Sequence, residues 1–183
     1  MCIVCSNEWT TDTKEIICCY RVATLPDKAI NLVALYCYGT QITSIPDTLV
    51  NLVYLNCCET PISTFPDTLV NLVTLECAWT HITAIPDTLI NLVYLNCNWT
   101  PIAALPNTLV DLVILNCNGT LIAKLPHTLK HIVWICSDNK PFVILYKYIF
   151  NDLDIYFRPR YENLSILYKM LPTDVYRHYR LYF

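Results

Sequence analysis

Glycine is scarce in this sequence: 183 residues contain two, at positions 39 and 119. Both fall at the same place in a repeating pattern described below, so a glycine-rich phosphate-cradling loop is excluded. Charge is thin as well, at 15% of residues. Residues 1–136 carry five Lys/Arg against ten Asp/Glu, a balance of −5, and residues 137–183 carry seven against five, a balance of +2. No basic stripe runs along the chain to track a phosphate backbone, so nucleic acid is not an expected partner. No apolar run approaches the roughly 18 residues of a membrane span, so no membrane partner is expected either. The start, Met-Cys-Ile-Val-Cys-Ser-Asn-Glu-Trp, lacks a basic region and a long apolar stretch, and is not expected to be a secretory leader. The four histidines, His81, His127, His131 and His178, have no Cys–Asp or Ser–Asp partner at a recognisable spacing. The chain is therefore expected not to be an enzyme and to need no cofactor.

What the sequence has is a beat. Prolines stand at Pro26, Pro46, Pro66, Pro86, Pro106 and Pro126. The same twenty-residue step fits Leu32, Leu52, Leu72, Leu92, Leu112 and Ile132, and again Leu35, Leu55, Leu75, Leu95, Leu115 and Ile135. Cys37, Cys57, Cys77, Cys97 and Cys117 keep it too. A fixed period of this length marks a stacked-repeat architecture, in which each unit buries its apolar edge only against its neighbours.

One unit, Leu52 to Pro66, reads L-x-x-L-x-C-x-x-T-x-I. The alternation Leu55, Asn56, Cys57 has period two, the pattern of a strand with one buried face. Thr60, with its counterparts Thr40, Thr80, Thr100 and Thr120, offers a hydroxyl to backbone groups where the chain leaves the strand. Ile62 and Phe65 return to the interior. Pro66 fixes φ and has no N–H, which suits a segment without ladder pairing. Pro-Asp-Thr then reads as a tight turn with Asp or Thr available as a cap. Twenty residues leave no room for a long helix on the far side, so an extended, polyproline-like or 3₁₀ path is expected there.

This pattern resembles the leucine-rich repeat family, whose signature is L-x-x-L-x-L-x-x-N-x-L. The resemblance covers about residues 16–137. Its short period and Ile/Leu-Pro step are similar to the twenty-residue subclass of bacterial effector proteins, and similar arrays occur in large DNA viruses. Here Cys takes the place of the third Leu and Thr that of the ladder Asn, so the family's Asn hydrogen-bond pattern must be altered. The resemblance implies a horseshoe solenoid of the α/β class that is mostly β. It would have a parallel sheet on the concave face, extended or 3₁₀ turns on the convex face, and short helices in the C-terminal cap. It implies a non-catalytic scaffold that binds a protein partner through the concave face. Alternatives are an assembly component such as a virion protein, or the substrate-recognition adaptor of an effector or ubiquitin-ligase complex. About 46 residues follow the repeats, too few for the large ligase domain of such effectors.

The expected division is an N-terminal cap with a degenerate first repeat at 1–25, the array at 26–137, and a Tyr-rich C-terminal cap or docking segment at 138–183. That last segment holds eight of the thirteen tyrosines, with short helices expected over Phe142–Phe150 and Tyr161–Leu171. By strand alternation the outward side chains are the partner-binding candidates: Tyr36, Tyr38, Tyr54, Glu76, Trp79, Tyr94, Asn96, Asn98, Trp99 and Trp134. Tyr and Trp give large contact area with few torsions to freeze. An apolar face of this kind leaves self-association open.

Five of the eleven cysteines share one interior line and serve as small hydrophobes there, which fits a reducing, intracellular setting. Cys2, Cys5, Cys18 and Cys19 have the thiols for a metal site or a cap disulfide. Two neighbours on a strand point to opposite faces, however, and no metal is expected. The sequons Asn98-Trp99-Thr100 and Asn118-Gly119-Thr120 are then not glycosylated. Thiol titration under denaturing, non-reducing conditions should count eleven; a count short by two or more would place a disulfide in the chain.

Overall fold

A computed structural model describes residues 10–136 apart from Pro26, His131 and Val133. Cys2, Cys5, the side chain of Trp134 and the whole of the segment 138–183 with its two expected helices lie outside the described residues.

Among the described residues, seven three-residue strands form one sheet in sequence order. They are β1 (Glu15–Ile17), β2 (Ala34–Tyr36), β3 (Tyr54–Asn56), β4 (Thr74–Glu76), β5 (Tyr94–Asn96), β6 (Ile114–Asn116) and β7 (Trp134–Cys136). Every pairing is parallel, and from β2 onward the register advances by twenty: Leu35 faces Leu55, Leu55 faces Leu75, Leu75 faces Leu95. Only the first step differs, with Ile16 opposite Leu35. The chain is thus a parallel β-solenoid, as the twenty-residue period demands.

The strands are short because the turns begin at once, yet the ladder runs past them. The N–H of Cys57 donates to the Glu76 carbonyl at 2.8 Å, and Cys77 and Cys97 repeat this toward Asn96 and Asn116. On the other side of each strand one carbonyl accepts two donors: Val53 and Tyr54 both reach Val33 O, at 2.9 and 3.1 Å. The same fork recurs at Val73/Thr74, Val93/Tyr94 and Val113/Ile114. A turn residue also donates to the preceding coil at Gln41, His81 and Leu121, whereas Pro61 and Pro101 hold that place in the coils between and have no N–H to give.

The interior is laid down in rows. Leu35, Leu55, Leu75, Leu95 and Leu115 are fully buried, as are Leu52, Leu72 and Leu112, the cysteine row, and the isoleucines 42, 62, 82, 102 and 122. Opposite the sheet there is no helix among the described residues. Two consecutive single turns take the chain round: Pro46 O accepts from Leu49 N–H at 3.2 Å, and Leu49 O from Leu52 N–H at 3.1 Å. With no helix there to cap, the hydroxyls of Thr68, Thr88, Thr108 and Thr128 are buried without a partner, and Thr48 donates to Asp27 O at 2.8 Å.

Two polar rows fasten the coils. The hydroxyls of Thr40, Thr60, Thr80, Thr100 and Thr120 each donate to the carbonyl of the cysteine three residues earlier, at 2.6–2.8 Å. That bond lies within one coil, which is how Thr alters the pattern of the ladder Asn. Bonding between coils comes from a different asparagine row: Asn51, Asn71 and Asn91 donate side-chain N–H to Ile30, Val50 and Val70 carbonyls at 2.8–2.9 Å. Cys18 and Cys19 follow β1 rather than lying in it, and both pack against the core. The expectation that they point to opposite faces of a strand is therefore corrected.

Leu75→Ala removes a fully buried side chain held between Leu55 and Leu95. Urea unfolding should show a loss of about 3 kcal/mol. Leu121→Ala, at an exposed turn position, should change stability by less than about 0.5 kcal/mol.

Candidate functional site

The solvent face of the sheet is built from the residues between the buried rows. One row, Tyr36, Asn56, Glu76, Asn96 and Asn116, alternates with the interior leucines and cysteines. Beside it run Ala34, Tyr54, Thr74, Tyr94 and Ile114. The large and small members of that row decide what is open. Thr74 and Ile114 are buried among their neighbours, while Tyr54 and Tyr94 are half-buried.

Diagonal hydrogen bonds cross-brace this face. The Tyr54 hydroxyl donates to Glu76 Oε1 at 2.6 Å, and Asn116 Nδ2 donates to the Tyr94 hydroxyl at 3.1 Å. Burial lifts the Glu76 carboxyl above the ordinary carboxylate range, and the Tyr54 hydroxyl opposes that by stabilising the charge. Asn56 and Asn96 flank Glu76 on the two adjacent strands, and their Oδ1 atoms accept the backbone N–H of Cys58 and Asn98 at 3.2 and 3.3 Å. The Asn98 Oδ1 accepts the Asn118 N–H at 2.7 Å.

Tyr36 departs from the expectation for a contact residue. Its ring is buried against Tyr54, with centroids 4.8 Å apart, because this end of the row places two large rings on adjacent rungs. Cys58 and Ala78, which share the row of Tyr38 and Asn98, are buried as well. Burial, and then the nearby Glu76 charge, pushes the Cys58 thiol up to about 12. The interior thiols Cys57 and Cys77 are pushed far above their usual range by the same desolvation, so these two are protonated and unreactive in the native state. Cys37, Cys57, Cys58, Cys77 and Cys97 are free thiols. No three metal-ligating side chains converge among the described residues.

The next row holds the feature that alternation did not anticipate. Gly39, Glu59, Trp79, Trp99 and Gly119 all have left-handed backbone, with φ between 56° and 66°. The turn off each strand requires it, since it aims the N–H of each of the first four at a carbonyl of the next coil, 2.7–2.9 Å away. Glycine takes this conformation without cost. A bulky residue pays about 1–2 kcal/mol for it. The two indoles are stacked, centroids 5.0 Å apart and planes 17° from parallel, and each is about half exposed. Stacking of this kind returns about 0.5–1.5 kcal/mol, less than two strained backbones cost. Trp99 also lies over Gly119, where a Cβ would collide with its ring. On the other flank, Glu59 accepts the hydroxyl of the exposed Tyr38. The sequence signal for this row was the shared position of the two glycines.

Of the candidate residues, Tyr38, Tyr54, Glu76, Trp79, Tyr94, Asn96, Asn98 and Trp99 thus lie on one side of the sheet or its edge. Tyr36 is covered. What the arrangement offers is aromatic surface, amides and carboxylates on a rigid ladder.

No protein-family model matches the sequence, and no curated protein matches it. Among solved structures, the functional domain of InlJ from Listeria monocytogenes, described as including a cysteine ladder, superposes with a TM-score of 0.65 at 23% identity. That match covers 70% of this chain and 30% of InlJ. A leucine-rich-repeat protein of Leptospira interrogans gives 0.58 at 28% identity, over 65% of this chain and 35% of that one. YopM from Yersinia enterocolitica gives 0.50 at 20%, over 64% and 26%. The chain spans about a third of the length of the structures it resembles. The fold these likenesses share is the parallel solenoid of leucine-rich repeats.

Gly119→Ala should destabilise the array by about 2 kcal/mol, through φ strain and collision with Trp99, and by about 1 kcal/mol in a Trp99→Ala background. Gly39→Ala, where nothing lies within 4 Å of the added methyl, should cost about 1 kcal/mol. Urea unfolding of the four variants checks the difference.

Proposed function

We propose that this leucine-rich-repeat solenoid is a non-catalytic scaffold that binds a partner protein on the solvent face of its sheet. One observation carries the reading: two half-exposed, stacked tryptophans held on strained backbone at the sheet edge, beside half-buried Tyr94 and Glu76. Rigid aromatic anchors among amides make a surface suited to protein recognition, since little entropy remains to be lost there. Leucine-rich-repeat neighbours are in general protein-interaction proteins, which supports the same reading. A row of cysteines used as small interior hydrophobes favours a reducing, intracellular setting for it. Small differences between coils, rather than the shared rows, would set which partner is chosen.

Trp99→Ala and Tyr94→Ala test this in pull-downs from native source material quantified by mass spectrometry. Retention of the partner should fall at least about tenfold in each variant, with an unchanged far-ultraviolet circular dichroism spectrum. Equal retention by wild type and both variants would refute the assignment of this face.

A further inference from the structure

Between residues 29 and 123 the chain has six Asp/Glu and no Lys or Arg. Four of the six, Asp47, Asp67, Asp87 and Asp111, belong to the turns opposite the sheet. The other two, Glu59 and Glu76, are on the sheet side, one in the coil before Trp79 and one in its own coil. Glu76 lies three residues before Trp79 in the same coil, a span of no more than about 10 Å of extended chain. Glu59 holds the equivalent row position one coil earlier, and rungs of a parallel sheet lie about 4.8 Å apart. These coils supply neither carboxylate with a cationic side chain.

The tryptophan stack has a direction. Trp99 is covered on one face by Gly119 and on the other by Trp79. The face of Trp79 turned away from Trp99 looks back toward the rung of Glu59, and Trp79 is 57% exposed. An exposed indole face on an acidic stretch of chain, with Glu59 one coil before it and Glu76 in its own coil, is complementary to a flat cation. A guanidinium fits better than an ammonium, because it stacks on the ring while its edge donates to carboxylate oxygens. The Tyr54 hydroxyl donates to Oε1 of Glu76 and so fixes that carboxylate.

We propose that the open face of Trp79, between Glu59 and Glu76, is a subsite for an arginine side chain of the partner protein. The assignment rests on the scaffold reading above and names the chemistry of its central contact. It also accounts for a tryptophan where glycine would be free of strain: the residue is retained for what it binds.

The test is a titration of the full-length, ¹⁵N-labelled protein with N-acetyl-arginine amide, followed on the indole N–H signals, which are assigned with Trp79→Phe and Trp99→Phe. Saturable shifts of the Trp79 signal in the millimolar range are expected. N-acetyl-citrulline amide, the same shape without charge, should give none. Glu59→Gln and Glu76→Gln should each weaken binding by about 3–10-fold; either variant suffices if the other fails to fold. Absence of a saturable Trp79 shift, equal shifts from the citrulline probe, or wild-type affinity in the glutamine variants would overturn the subsite. If the arginine probe fails while Trp99→Ala still releases the native partner, the subsite falls and the scaffold reading stands.

Discussion

The backbone ladder between coils governs everything else in this protein. Each coil must present its donors and acceptors to the next at the same height, and from β2 onward each contains twenty residues and turns at the same points. Cys37, Cys57, Cys77 and Cys97 donate across coils at 2.8 Å with no drift along the array. Once that spacing is fixed, like residues stack on like. The leucine, isoleucine and cysteine rows then form one interior with no unit able to bury its own edge. The threonine hydroxyls and the Asn51–Asn91 row settle polar groups at the two bends, where the ladder cannot reach.

The same constraint confines variation to a few rows. A position facing the core cannot change size without disturbing the coils above and below. The outward rows can, and it is there that Tyr54 alternates with Thr74 and Tyr94, and that Glu76 interrupts a line of asparagines. The left-handed row is the extreme case. Its conformation is set by the ladder, glycine meets it at both ends, and the middle holds Glu59, Trp79 and Trp99 against the conformational preference of each. Strain kept in place by surrounding structure concentrates where a surface has work to perform.

Much of the fold was legible in the residues because period and alternation are properties of sequence. Leu55, Cys57, Ile62 and Phe65 all face inward as their spacing required, and the turn after Pro66 follows from a fixed φ and a missing donor. Less of the candidate site was legible. Alternation assigns a side but says nothing of cover, so it could not show that Tyr36 packs against Tyr54 or that Cys58 and Ala78 are buried. Nor does period two survive the end of a three-residue strand: Trp79 and Trp99 are aimed by a positive φ, not by pleat. Gly39 and Gly119 marked that turn, but two glycines in a row of five are a thin signal. The stacking of the indoles, and the seat of Trp99 on Gly119, depend on distances between coils that no single coil encodes.

Long-range scalar couplings across hydrogen bonds measure the ladder itself. In an amide-to-carbonyl correlation spectrum, the N–H groups of Cys57, Cys77 and Cys97 should couple to the carbonyls of Glu76, Asn96 and Asn116. Couplings from these amides to partners in an antiparallel order, or at a separation other than nineteen residues, would contradict the stacked-coil account and the recognition surface built on it.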